Sequence, residues 1–245
     1  MKKANNIKEN TFLKGIIDGI PICLGYFSVA FAFGIFTVSN GLTSLEALLI
    51  SMTNVTSAGQ LAAVPIIVSG GTLFELAASQ FIINLRYALM SITLSQKLDE
   101  SISLADRFII AFVNTDEVFA VASSKESVGR KYMFGLILTP WLGWSAGTIV
   151  GAVAGNILPA MLISALGIAI YGMFIAIVVP PAKENKHVLF CVAFAIVLSC
   201  LFRFVPLLSQ VQSGFVIIIC SVIASAAAAA LFPIDEKKEA QQNEN

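Results

Sequence analysis

Eight runs of about twenty apolar residues follow one another through nearly the whole chain. They cover residues 16–36, 45–69, 73–94, 104–124, 132–154, 159–179, 187–204 and 214–232. As an α-helix, a run of this length matches the hydrocarbon thickness of a bilayer. Lipid accepts only structures that satisfy every backbone N–H and C=O internally, which means helices or closed barrels. The chain has no ten-residue alternation of the kind a barrel strand needs. The sequence therefore predicts an all-α polytopic protein of the cell membrane. Residues 1–14 form a cytoplasmic N-terminal segment, 15–232 a helical transmembrane domain and 233–245 a polar cytoplasmic tail. Composition agrees: 12% of the residues are charged, about half the share in soluble domains. The polar stretch before the first run and the lack of a small-residue cleavage site argue against a cleaved signal.

Three runs begin with a capping box: Thr43 with Glu46, Thr72 with Glu75, and Ser103 with Asp106. Loop charges set the orientation. With eight crossings and an inner N-terminus, eleven loop Lys and Arg residues fall inside, and only Lys97 and Arg107 outside. Both termini are therefore expected in the cytoplasm. A variant brings all thirteen inward: segments 2 and 4 dip into the membrane and return, leaving six full crossings. Thr56-Ser57-Ala58-Gly59-Gln60 interrupts segment 2 with poor helix formers, so that segment is expected to be broken or re-entrant. Segment 4 is long enough after its cap to cross, so eight crossings are the favoured arrangement.

Ionisable side chains at membrane depth are costly, about 2.5–3.5 kcal/mol each on insertion scales, and are functional candidates by default. Arg86, beside Asn84, lies near the middle of segment 3; Asp116 and Glu117 lie near the middle of segment 4. If these segments run antiparallel, Arg86 comes within reach of either acid. The pair belongs to a polar pathway or is a purely structural ion pair. Asn54, Thr56, Ser57 and Gln60 add polarity where segment 2 breaks. Broken helices expose backbone donors and acceptors that can hold charged parts of a substrate, although such a kink can also serve packing alone. Asp18 and Pro21, near the inner end of segment 1, are weaker candidates.

Gly143, Gly147, Gly151 and Gly155 recur every four residues, the stripe that lets two helices approach closely, within the chain or against another subunit. Gly143-Trp144-Ser145-Ala146-Gly147 also matches a serine-hydrolase GxSxG, but it sits in a continuous apolar helix. The single histidine, His187, falls at a loop edge, so the motif is read as packing. No phosphate-binding loop is present. Cys23, Cys191, Cys200 and Cys220 are scattered in apolar runs, which argues against a disulfide framework or zinc site. No cofactor, metal or nucleic acid is implied, and an enzyme is not expected.

Four motifs together carry a resemblance. They are Gly19-Ile20-Pro21, the break ending Gln60-Leu61-Ala62-Ala63-Val64, Asn84-Leu85-Arg86-Tyr87, and Thr115-Asp116-Glu117-Val118-Phe119-Ala120. In this order the chain resembles the AzlC family, the large subunit of branched-chain amino-acid exporters, over roughly residues 12–204. The family reads close to GSAQF at the break, where this chain has Ser57-Ala58-Gly59-Gln60-Leu61; the glutamine aligns and the small residues are permuted. The resemblance implies a secondary exporter of aliphatic amino acids working with a small AzlD-type membrane subunit. The proton-motive force is the expected driving force. An uncoupled channel or structural membrane subunit is the alternative.

Overall fold

A computed structural model describes residues 11–159, 161, 172, 175 and 178–233. Segment 6 lies almost wholly outside the described residues, as do the tail and most of the N-terminal segment. The described helices are α1 (Phe12–Ser39), α2 (Ser44–Thr53), α3 (Ala58–Val68), α4 (Leu73–Ser95), α5 (Leu104–Phe112), α6 (Asp116–Ser123), α7 (Arg130–Gly155), α8 (Lys186–Phe204) and α9 (Ser213–Leu231). By length and composition α1, α7, α8 and residues Gly214–Leu231 of α9 could each cross a membrane. At 23 residues α4 is also long enough, roughly 34 Å, but Glu75, Gln80, Asn84 and Arg86 interrupt its apolarity.

The glycine stripe builds the centre. A Cβ added at Gly143 would come within 2.7 Å of the Cys23 carbonyl; at Gly147 and Gly151 it would strike Phe27 and Phe31. At Gly155 it would meet Ile35 and Val38. Each step of four along α7 matches a step of four along α1 in the same direction, so the two helices run parallel and backbone to backbone. Gly15 and Gly34 on α1 reciprocate, lying against the α7 backbone at Tyr132 and Thr148. The stripe is thus consumed within the chain and offers no face to a second subunit.

Parallel packing of α1 and α7 constrains everything between them. Segments 2 and 4 must both traverse the bundle, or neither can. The loops on either side of segment 4 decide this. Leu98 and Val128 form a β-bridge; the Asp99 N–H donates to the Val128 carbonyl at 3.0 Å, and the Val128 N–H to that of Lys97 at 2.9 Å. Arg130, at the start of α7, pairs with Asp106 of α5 at 2.9 Å, and its N–H donates to Ser101 Oγ. Segment 4 therefore leaves and returns at one end of the bundle.

This corrects the expectation of a continuous fourth crossing. The segment is two short helices of 9 and 8 residues, separated at Val113-Asn114-Thr115. The physical reason is a helix start in mid-segment: the Thr115 hydroxyl accepts the Val118 N–H, and Asp116 and Glu117 suit the positive end of a new helix dipole.

Segment 2 does the same from the opposite end. Ser44 accepts a hydrogen bond from Asn156 at the end of α7, and Trp141 Nε1, halfway along α7, donates to the Met52 carbonyl at 3.1 Å. The chain then turns through residues 54–57. Helix α3 runs back beside α4: Gln80 reaches the Gly59 carbonyl, and Gly71 lies between Ile66 and Glu75.

The capping boxes at Thr43 and Ser103 form as expected. At Thr72 only half of one forms. Its hydroxyl accepts the Glu75 N–H, but the buried Glu75 carboxylate accepts the Gly214 N–H at 2.8 Å, supplying the cap that α9 lacks. This fixes the start of α9 beside the start of α4. At the other end of α9, the Phe232 ring lies tilted against His187, 4.1 Å between ring centres. Residues 12 and 232 accordingly lie at the same end of the bundle. Lys14, Lys97, Lys125, Arg130, Lys131 and Lys186 lie there too.

Candidate functional site

The two interrupted segments, entering from opposite ends, meet halfway along the bundle. Each contributes a half-helix whose N-terminus faces a shared cavity of about 310 Å³. Its walls are Tyr26 from α1, residues 55–58 from the first break, Ile83, Arg86 and Tyr87 from α4, Thr115, Asp116 and Glu117 from the second break, and Trp144 from α7. A neighbouring cavity of about 390 Å³ shares Tyr26, Ser57, Glu117 and Trp144 and extends to Pro21.

The two N-termini differ electrically. Helix α6 carries Asp116 and Glu117 in its first turn, so its dipole is already answered. Helix α3 has neither an acid in its first turn nor a side-chain cap. Ser57 holds φ at +47°, in the left-handed region that non-glycine residues seldom occupy, a strain typical of ligand-binding turns. Its partial positive charge is free to act on an anion.

Arg86 Nη2 lies 2.9 Å from Asp116 Oδ2 and 3.2 Å from the Tyr87 hydroxyl, which it approaches while lying over that ring. The pair is only half-buried, Arg86 at 53% and Asp116 at 46% side-chain exposure. The Tyr26 hydroxyl donates to the Glu117 carboxylate, and its ring meets that of Trp144 edge to face at 5.1 Å. Cation, anions, a free helix N-terminus and aromatic walls thus share one space.

A polar web, partly to fully buried, supports the first break. Gln80 Nε2 donates to the Gly59 carbonyl, while Gln80 Oε1 accepts from Asn54 at 2.9 Å and from Asn84 at 3.3 Å. Gln60 Nε2 donates to Ser51 Oγ, which is 2.6 Å from Thr148 Oγ1. Asn54, Gln60 and Asn84 therefore shape the break and stand behind the wall, whereas Ser57, Arg86, Asp116 and Glu117 line the cavity. Asp18 is separate from both. It binds Lys14 and Tyr132 and faces Lys125 at the end of the bundle.

Sequence reasoning missed Tyr26, Gln80 and Trp144. Gln80 was detectable, four residues before Asn84 and so on the same helical face. The two aromatics were not, because in an apolar run they read as packing.

The sequence model of the AzlC protein family matches residues 21–158, more than half of the chain. It spans nearly everything from α1 to α7, the elements that build the cavity. The chain belongs to the AzlC family. An uncharacterized membrane protein of Archaeoglobus fulgidus is 33% identical over 183 residues, covering 74% of this chain and 80% of the relative. The inner membrane protein YgaZ of Escherichia coli is 28% identical over 196 residues, covering 76% and 79%. No solved structure matches. Both relatives are named as membrane proteins, and this AzlC protein is a multi-pass membrane protein; its helices α8 and α9 lie beyond the family match.

Proposed function

We propose that the chain is the translocating subunit of a secondary exporter for branched-chain, aliphatic amino acids. It works with a small AzlD-type subunit and is driven by the proton-motive force. One observation carries this reading: two oppositely directed half-helices meet at a cavity holding a free helix N-terminus, an arginine, two carboxylates and aromatic walls. A zwitterionic amino acid needs these groups. Its carboxylate suits the α3 N-terminus or Arg86, its ammonium suits Glu117 and Asp116, and its side chain suits Tyr26, Val55 and Trp144. The carboxylates also give a proton somewhere to reside at mid-depth.

The end holding the lysine cluster is the cytoplasmic one by the positive-inside rule. Both termini then lie in the cytoplasm, with segments 2 and 4 as re-entrant hairpins. The test is efflux from cells loaded with leucine by dipeptide feeding, with and without the small subunit and with and without a protonophore. Export that needs both subunits and stops with the protonophore is the expected result. Export that persists down a gradient only, indifferent to the protonophore, is the behaviour of a channel and overturns the coupling. Equal export without the small subunit removes that partner.

A further inference from the structure

A second cavity, of about 240 Å³, lies between α4 and α5 on the side of the lysine-rich end. Its wall is mostly apolar, with Leu94, Leu104, Phe108 and Ala111 among its lining residues. Arg107 and Asn114 stand out among its polar lining residues, which also include Ser91 and Ser95. Arg107, early in α5, has no ion-pair partner among the described residues. Asn114, in the break just past the C-terminal end of α5, is 4% exposed. Its Nδ2 donates to Ser91 Oγ at 3.3 Å, while its buried Oδ1 has no partner. A buried carbonyl oxygen left without a donor is costly, and here it belongs to a residue that lines a cavity.

Asn114 immediately precedes Thr115, which with Asp116 lines the central cavity. Ser91 follows Tyr87, another central-cavity residue, by one turn of α4. The single Asn114–Ser91 hydrogen bond thus stands between the two spaces.

We propose that this cavity is the cytoplasmic vestibule of the transport path and that the Ser91–Asn114 contact is its inner gate. Arg107 draws the carboxylate of an aliphatic amino acid inward, the apolar wall accepts its side chain, and Asn114 Oδ1 accepts from its ammonium as the gate parts. This rests on the exporter reading above. A lipid tail is the competing occupant of such a wall, but a lipid has no use for an orphaned amide oxygen at the inner end.

The test uses the full chain with its four native cysteines replaced by alanine, after that parent is shown to export leucine. Ala111→Cys is then treated with a membrane-impermeant cationic methanethiosulfonate reagent in inside-out and right-side-out vesicles. The expected result is fast reaction only in inside-out vesicles. Leucine at about ten times its half-saturating concentration should slow it roughly tenfold, as occupancy dictates, and transport should be lost after modification. In a Thr56→Cys background, Asn114→Ala should speed labelling of the central cavity from the cytoplasmic side. Full modification with unchanged export, or modification slowed by added phospholipid but not by leucine, overturns the vestibule and leaves the exporter standing. A parent that moves no aliphatic amino acid sinks the exporter reading itself, a failure visible before any reagent is added.

Discussion

Half-exposure changes what Arg86 and Asp116 can be asked to do. An ion pair on the wall of a water-filled cavity contributes about 0–1 kcal/mol to stability, far less than a desolvated pair whose rupture costs several kcal/mol. Removing either partner should leave the fold intact, so a loss of export reports on function. Arg86→Ala is expected to abolish leucine efflux at normal membrane abundance, and Asp116→Asn to abolish it or alter its pH dependence. The double variant Arg86→Met with Asp116→Leu should insert normally and still fail to transport; normal efflux from it would end the functional role of the pair. Tyr26→Phe removes only the hydroxyl donor to Glu117. It should lower efflux without moving the melting temperature in detergent, and an unchanged efflux rate would assign that hydroxyl to packing alone.

At the scale of elements, α1 and α7 are held by glycines that admit no Cβ. Gly151→Val drives a side chain into the Phe31 carbonyl and, as overpacking against backbone, should cost about 1–3 kcal/mol or more. Gly25→Ala, on α1 and with nothing within 4 Å of the added Cβ, should be neutral. Thermal melting in detergent separates the two, and equal melting points would mean that the helices do not approach as described. The start of helix α9 is capped by one buried acid: Glu75 accepts its Gly214 N–H. Glu75→Ala leaves that buried N–H unsatisfied, at about 1–3 kcal/mol. It should loosen α9, seen as faster proteolysis after α8 while the residue 12–155 core stays protected.

The whole molecule makes its prediction through topology. If segment 4 is a hairpin, Leu98→Cys and Val128→Cys, placed in the cysteine-free chain, should form a disulfide under mild oxidation. A crossing segment would hold the two residues about 30 Å apart, the thickness of the hydrocarbon, and no disulfide could form. Labelling at Lys97→Cys from the cytoplasmic side is the companion measurement.

Sequence alone determined the class of solvent, the helical class, the family and the residues too expensive to bury without purpose, because each is a local property of composition, spacing or motif. The break in segment 2 was legible at residues 56–60 for the same reason. The break in segment 4 was also written there, in Thr115-Asp116-Glu117, but an apolar run long enough to cross outweighed a helix start in its middle. Only the tertiary structure decided that both segments turn back, since that depends on which loops meet, Leu98 with Val128 and Ser44 with Asn156. Tertiary packing likewise gave the glycine stripe to α1 and turned Glu75 from its own helix to the start of another. It also set Tyr26 and Trp144 against Glu117 and Ser57. Local sequence fixes which groups need a partner; the three-dimensional approach of distant segments chooses the partner.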